Sequence, residues 1–356
     1  MTTYATTTQQ LLRQLAQTRG GSDLILTVGK PPQFKVHGEV RSVADCEPLT
    51  GETAEALCLS VLTEYQASRF REERELDVSL YLTEIGRFRV NVFQQRGAMA
   101  LVARIVMEKV PGFKALGLPS VVEDLAKLRK GLILFTGPTG HGKSTSVAAM
   151  VDYINQHRPC HIISIEDPIE YVHTHAMAVI DQREVGLDTE SFHSALRRVL
   201  RQAPDVIVIG EIRDRESAQA ALTLAETGHL ILATLHTSGA VASINRLIDM
   251  FPSEQEKQIR TQLSASLTAA IWQQLIPAAD KKRLVLACEV LVANPAVRSL
   301  IRQRRVHEIY SLIQTGRKYG MFTMEQAIEE LIADGKVSRE WFENNHLDMS
   351  ESGKTG

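Results

Sequence analysis

The chain has 356 residues, 44% hydrophobic and 23% charged, with a formal net charge of −2. These proportions exclude a disordered chain, allow a sizeable core and favour two domains, and they give no bulk attraction to nucleic acid or an acidic membrane. Cys46, Cys58, Cys160 and Cys288 are far apart with no C-x-x-C pair, which argues against a zinc module or a disulfide framework and suits a reducing compartment.

The N-terminal MTTYATTTQQ has no basic region followed by an apolar core, so no secretory signal is expected. Leu11, Leu12 and Leu15 predict a helix over Gln9–Arg19, stopped by Gly20 and Gly21. Strands are expected over Asp23–Val28 and Gln33–His37, on either side of Pro31 and Pro32. Glu52–Phe70 reads as one helix with Ala56, Leu59, Leu62 and Tyr65 toward a core. In Arg87–Phe93, Phe88, Val90 and Val92 alternate with Arg87, Arg89 and Asn91, and a second extended run from Met99 to Met107 carries Arg104. The section is therefore a small α+β domain with an antiparallel sheet. Arg87, Arg89, Arg96 and Arg104 have no obvious acidic partners nearby in sequence. They form either a solvated sheet face or, for some of them, a contact with a nucleotide held by another subunit.

Val110, Pro111 and Gly112 mark a linker. Beyond it, short apolar runs at Leu132–Phe135, His161–Ile165, Val206–Ile209, Leu230–Leu235 and Leu284–Val290 alternate with helices, the pattern of a parallel sheet covered by helices. The first run leads straight into Gly137, Pro138, Thr139, Gly140, His141, Gly142, Lys143, Ser144 and Thr145, which fit G-x-x-x-x-G-K-[ST]. Val147, Val151 and Ile154 then continue at helical spacing. Strand, glycine loop and helix make a phosphate nest in which backbone amides hold ATP phosphates, Lys143 reaches the β and γ positions, and Ser144 binds Mg²⁺. His141 occupies a position where a small residue is commoner, and its imidazole is expected to point away from the phosphates.

Ligands of such sheets bind at the carboxyl ends of the strands. Those ends carry Glu166 followed by Asp167 and Pro168, then Gly210 to Asp214, then His236 and Thr237, with His229 just before the last strand. Glu211 is the best candidate for orienting or deprotonating the attacking water, and Glu166 shares the metal or water role, directly or through water; the alternative for both is a helix cap. His229 and His236 either sense the γ-phosphate or serve as structural histidines. Arg197, Arg198 and Arg201 share a predicted helix with Ala195, Leu196, Val199 and Leu200. Gln262–Ala279 is too polar for a membrane span and reads as an amphipathic helix. Capping boxes are expected at Ser253–Glu256 and Thr323–Gln326; the second opens a helix carrying Ile328, Leu331 and Ile332 that stops near Gly335, and Asp348–Gly356 is a polar tail expected to fray.

GPTGHGKST, IEDPIEYV, VIVIGEIRD and ETGHLILATLHT, with the earlier SDLILTVGKPP and RFRVNVFQQRG, resemble the type IV pilus retraction ATPases, the PilT-like branch of the secretion ATPases, from about Gln9 to Leu331. AVRSLIRQRRVHEI and TGRKYGMFTMEQA are similar to that branch's C-terminal signature. The resemblance implies an α/β protein with a PAS-like N-terminal α+β domain (1–108), a linker (109–118) and a RecA-like P-loop ATPase domain with a mostly parallel sheet and C-terminal helices (119–356). It further implies a homohexamer that hydrolyses ATP with Mg²⁺ at the cytoplasmic face of the inner membrane, where a platform protein provides its peripheral membrane association. On that pattern Glu166 falls in an aspartate box, Glu211 in a Walker B equivalent, His229 and His236 in a histidine box, and Arg104 on an arginine supplied by the N-terminal domain. His141 replaces the loop serine usual in the family. The alternatives are an accessory retraction ATPase, a pilus assembly or type II secretion ATPase, or, from a different class, a RecA-like nucleic-acid motor. The low aromatic content, 5%, disfavours the last, and no nucleic-acid partner is expected.

Overall fold

The computed structural model describes residues 7–83, 85–106 and 110–345. The end of the Met99–Met107 run and the polar tail Asp348–Gly356 lie outside the described residues. The chain forms two compact units, residues 1–109 with 170–172, and residues 110–169 with 173–356.

In the first unit α1 (Thr8–Gln17) precedes β1 (Gly21–Leu26), β2 (Gln33–Val36) and β3 (Glu39–Ser42); α2 (Gly51–Leu59) and α3 (Glu64–Glu73) follow, then β4 (Glu75–Leu82), β5 (Gly86–Gln95) and β6 (Ala98–Ile105). The strands form one sheet in the order β3-β2-β1-β6-β5-β4, antiparallel throughout. As the alternation predicts, Phe88, Val90 and Val92 are fully buried, and they pack with Leu11, Leu12 and Leu15 of α1.

The single helix expected over Glu52–Phe70 is broken in two. Thr63 ends the run by capping α3: its hydroxyl accepts the Gln66 N–H at 3.2 Å while Gln66 Oε1 accepts the Thr63 N–H at 2.9 Å. Tyr65 and Ala56 are exposed, whereas Leu59 and Leu62 pack half-buried, as expected, against the core that Ala54, Leu57, Cys58, Val61 and Phe70 enter.

In the second unit α4 (Phe113–Leu116) and α5 (Val121–Ala126) lead to β7 (Gly131–Thr136), α6 (Lys143–His157), β8 (His161–Glu166), β9 (Val179–Glu184), α7 (Phe192–Val199), β10 (Val206–Ile209), α8 (Arg215–Glu226) and β11 (Leu230–Leu235). The chain continues through α9 (Ala240–Asp249), α10 (Glu256–Ser266), β12 (Leu267–Pro277), β13 (Leu284–Val292), α11 (Pro295–Arg302), α12 (Ile309–Thr315) and α13 (Met324–Ala333). The sheet order is β13-β12-β7-β11-β10-β8-β9, and every pairing is parallel except that of β13 with β12. Both faces are covered. Leu132, Leu134, Ile163, Ile207 and Ile231 enter one core with α8 to α10, while Ile133, Phe135, Ile162, Val206 and Leu232 enter another with α5 and α6. Strands buried on both faces carry continuous apolar runs, which is why the sequence shows them so plainly.

Three other expectations fail. Gln262–Ala279 is not one helix: α10 stops at Ser266 and β12 runs from Leu267, while Leu284–Val290 belongs to an antiparallel strand paired with it. Ser253–Glu256 forms no capping box; a 3-10 turn precedes α10, which has no side-chain cap. Leu200 leaves the apolar stripe because α7 tightens to a 3-10 turn after Val199, which rotates it to 47% exposure. Thr323 and Gln326 do form their box at the start of α13.

Candidate active site

β7 delivers the chain to the glycine loop, and β12 runs beside it. Gly137 has φ +141°, and a Cβ there would lie 2.4 Å from the carbonyl oxygen of Gln273, so β12 admits no side chain at the start of the loop. α6 begins after Gly142 with no side-chain cap, so its first-turn N–H groups point into the loop at the positive end of a 15-residue helix. These amides suit phosphate oxygens. Lys143 is 7% exposed, and its Nζ donates to the carbonyls of Gly137 and Pro138 at 2.8 Å each, placing the ammonium inside the same cradle.

The acidic and imidazole groups gather at the same end of the sheet. Thr139 Oγ1 lies 3.3 Å from His236 Nδ1, and His236 Nε2 lies 3.3 Å from Glu211 Oε1. The other Glu211 oxygen accepts from Arg213 Nε at 2.8 Å, and Arg213 NH1 lies 3.7 Å from Asp167. The hydrogen bond to Glu211, with added charge from Asp167, raises the Arg213 pKa and keeps the guanidinium protonated. One polar chain thus crosses from the glycine loop over the ends of β11, β10 and β8.

The local backbone fixes Glu211 from both sides. Gly210 N–H donates to the Ile165 carbonyl at 2.9 Å, Thr234 Oγ1 donates to the Gly210 carbonyl at 2.6 Å, and Ile212 N–H donates to the Thr234 carbonyl at 3.0 Å. A Cβ at Gly210 would approach Ile165 O at 3.1 Å and Glu166 Cα at 3.2 Å. The step before Glu211 therefore takes glycine because β8 lies against it. Asp214, not Glu211, caps α8: its Oδ1 accepts Ser217 N–H at 2.8 Å and Ser217 Oγ–H at 2.6 Å, which holds its carboxyl below the usual range. Glu166 ends β8, and its Oε1 accepts from Gln182 Nε2 of β9 at 3.2 Å.

One expected site residue of the second unit lies away from the loop. His229 precedes β11, at the edge of the sheet where Gly131 begins β7, and its ring contacts the Leu224 carbonyl at 3.0 Å and Thr227 Oγ1 at 3.1 Å. The whole length of β11, roughly 20 Å, separates it from His236. The His229 ring closes the turn after α8. Arg104 lies on β6 of the first unit, opposite Asp23 in register; its Nε donates to Asp23 Oδ1 at 2.7 Å, and the guanidinium stays largely exposed. Arg89, on the adjacent strand, lies 3.7 Å from Asp77.

Sequence reading singles out neither Arg213 nor Gln182, which engage the two carboxylates, nor Gln273 behind the loop. Arg213 carries a local signal, since it stands two residues after Glu211. Gln182 and Gln273 reach the site only through strand pairing.

A strand, glycine loop and helix at the carboxyl edge of a mostly parallel sheet, with a carboxylate and an imidazole tied to the loop, define a P-loop nucleotide-hydrolase core. The chain belongs to the type II/IV secretion system protein family, which matches residues 33–355. It is 44% identical over 332 residues to the type IV pilus ATPase PilU of Pseudomonas aeruginosa, covering 93% of this chain and 86% of the relative. It is 43% identical over 322 residues to the type IV pilus retractation ATPase PilT of the same organism, covering 90% and 93%. The crystal structure of the pilus retraction motor PilT with bound ADP matches with a TM-score of 0.88 at 42% identity, over 94% of this chain and 95% of that one.

Proposed function

We propose that the protein is a hexameric ATPase motor that hydrolyses ATP to drive type IV pilus retraction and twitching motility. The observation that carries this reading is the path from Thr139 in the glycine loop, hydrogen-bonded to His236, to Glu211 3.3 Å beyond the imidazole, which links the phosphate cradle to a carboxylate. The likeness to pilus ATPases over nine-tenths of the chain supports the mechanical role. Residues 1–108 form the N-terminal domain, 109–118 the linker and 119–356 the motor domain.

The loop amides and Lys143 bind the β and γ phosphates. Glu211 orients the attacking water and takes up its proton as the bond between the γ-phosphorus and the bridging oxygen breaks. His236 holds Glu211 in line with the loop and changes partners when the phosphate is lost. Ser144, in the first turn of α6, and Glu166, at the end of β8, would hold Mg²⁺; their oxygen donors suit that hard cation, which neutralises phosphate charge when bound. Arg104 is the arginine a neighbouring protomer contributes at the γ-phosphate, for which it must leave Asp23. The hexamer acts on a platform protein at the cytoplasmic face of the inner membrane.

Comparable identity to PilU and to PilT favours a second reading, an accessory retraction ATPase working beside a stronger one. Deletion of the gene tests both. Excess surface pili with lost surface motility establishes a retraction motor, retained pilus number with weakened motility under load establishes the accessory role, and bald cells refute retraction in favour of assembly.

A further inference from the structure

β12 outruns its neighbour. Its pairing with β7 ends at Trp272 opposite Thr136, yet the strand continues to Pro277 with its other edge on β13. The edge beyond Trp272 is taken by the glycine loop and the helix behind it. Gln273 presents its carbonyl to Gly137, and its fully buried side chain donates from Nε2 to Ser146 Oγ at 2.7 Å, in the second turn of α6. Two residues on, Leu275 N–H donates to His141 Nδ1 at 3.0 Å. The loop is thus fastened at its start, at its tip and at the helix that follows.

The tip contact depends on one side chain. Gly140 and Gly142 flank His141 and bring no side chain of their own to β12. An imidazole that accepts at Nδ1 carries its proton on Nε2 and is neutral. Burial, with the positive charge of Lys143 added, lowers the His141 pKa, so this acceptor form prevails at neutral pH. A loop already fixed in place loses less freedom on receiving a phosphate chain.

We propose that His141 is a positioning residue for nucleotide binding: by accepting the Leu275 N–H it pins the tip of the glycine loop to β12 and holds the loop amides ready for the phosphates. The inference rests on the nucleotide-hydrolase reading. His141 acts through the loop and touches no phosphate.

The test compares His141→Leu, which has no acceptor, with His141→Asn, whose Oδ1 takes the place of Nδ1. Binding of ADP and of ATP is measured by calorimetry on the purified full chain, phosphate release is measured across ATP concentrations, and thermal unfolding without nucleotide checks each fold. The expected result is nucleotide affinity about tenfold weaker in the Leu variant, the scale of one lost hydrogen bond, appearing in KM more than in kcat, with most of the affinity restored in the Asn variant. If the Leu variant does not fold, His141→Ser, whose hydroxyl is one bond shorter, takes its place with the same expectation. Equal affinity in wild type, Leu and Asn overturns the proposal, and so does equal weakening in Leu and Asn, which would point to direct phosphate contact. Absence of nucleotide binding by the wild type instead defeats the underlying reading.

Discussion

His236 Nε2 stands 3.3 Å from Glu211 Oε1 while the opposite ring nitrogen faces Thr139, so one imidazole joins the carboxylate to the loop. Replacing it with phenylalanine keeps the ring and removes both contacts. The expected outcome is a fall in kcat of about tenfold or more with ATP affinity little changed, because in the proposed mechanism the lost contacts hold Glu211 in line rather than bind the nucleotide. Steady-state phosphate release across ATP concentrations measures the split.

Gly210 is set by crowding. In Gly210→Ala the new methyl meets Ile165 O at 3.1 Å and Glu166 Cα at 3.2 Å, both backbone atoms, so β8 and β10 must separate slightly. Overpacking of this kind costs about 1–3 kcal/mol, and urea unfolding should show a lower midpoint. Turnover should fall as well, since the turn holding Glu211 moves. An unchanged midpoint would show that the sheet yields without cost.

A second carboxyl organises the region behind the site. Glu289 on β13 is 1% exposed; its Oε1 accepts the Ala240 N–H at 2.9 Å, and the Met324 N–H bonds it as well, so it serves the first turns of α9 and α13 together. Burial outweighs these hydrogen bonds and pushes its pKa from the usual 4.5 up to about 7. With the folded pKa above the unfolded one, the native state binds the extra proton, and the stability this contributes is full below pH 4.5 and is lost as pH rises through 7. Glu289→Gln cannot ionise. Its stability relative to wild type should therefore improve between pH 5 and pH 8, by roughly 1–3 kcal/mol, as read from urea unfolding at several pH values. A difference independent of pH would contradict the assignment.

Much of this was legible in the chain because the relevant strands are buried on both faces. Val206–Ile209 and Leu230–Leu235 coincide with β10 and β11 to the residue, and the glycine loop follows β7 as its spacing requires. β12 was not legible. Ala269, Ala270, Gln273 and Gln274 are residues that helices accept, and the polar ones among apolar neighbours imitate an amphipathic period. Gln273 is fully buried, and its amide donates to Ser146, 127 positions away in sequence, a pairing no local pattern encodes. The helix expected over Glu52–Phe70 failed although Thr63 and Gln66 carried their own start signal, because the apolar spacing ran on through the break.

The central claim is that Glu211 at the end of β10 directs the water that cleaves ATP held in the loop of the same sheet. Glu211→Gln keeps the size of the side chain and removes its charge. Nucleotide affinity and phosphate release should be measured together on this variant and the wild type, in the presence of Mg²⁺. ATP should bind the variant at least as tightly as wild type while phosphate release falls by a factor of about a hundred or more. Phosphate release at the wild-type rate from the Gln variant would contradict the account.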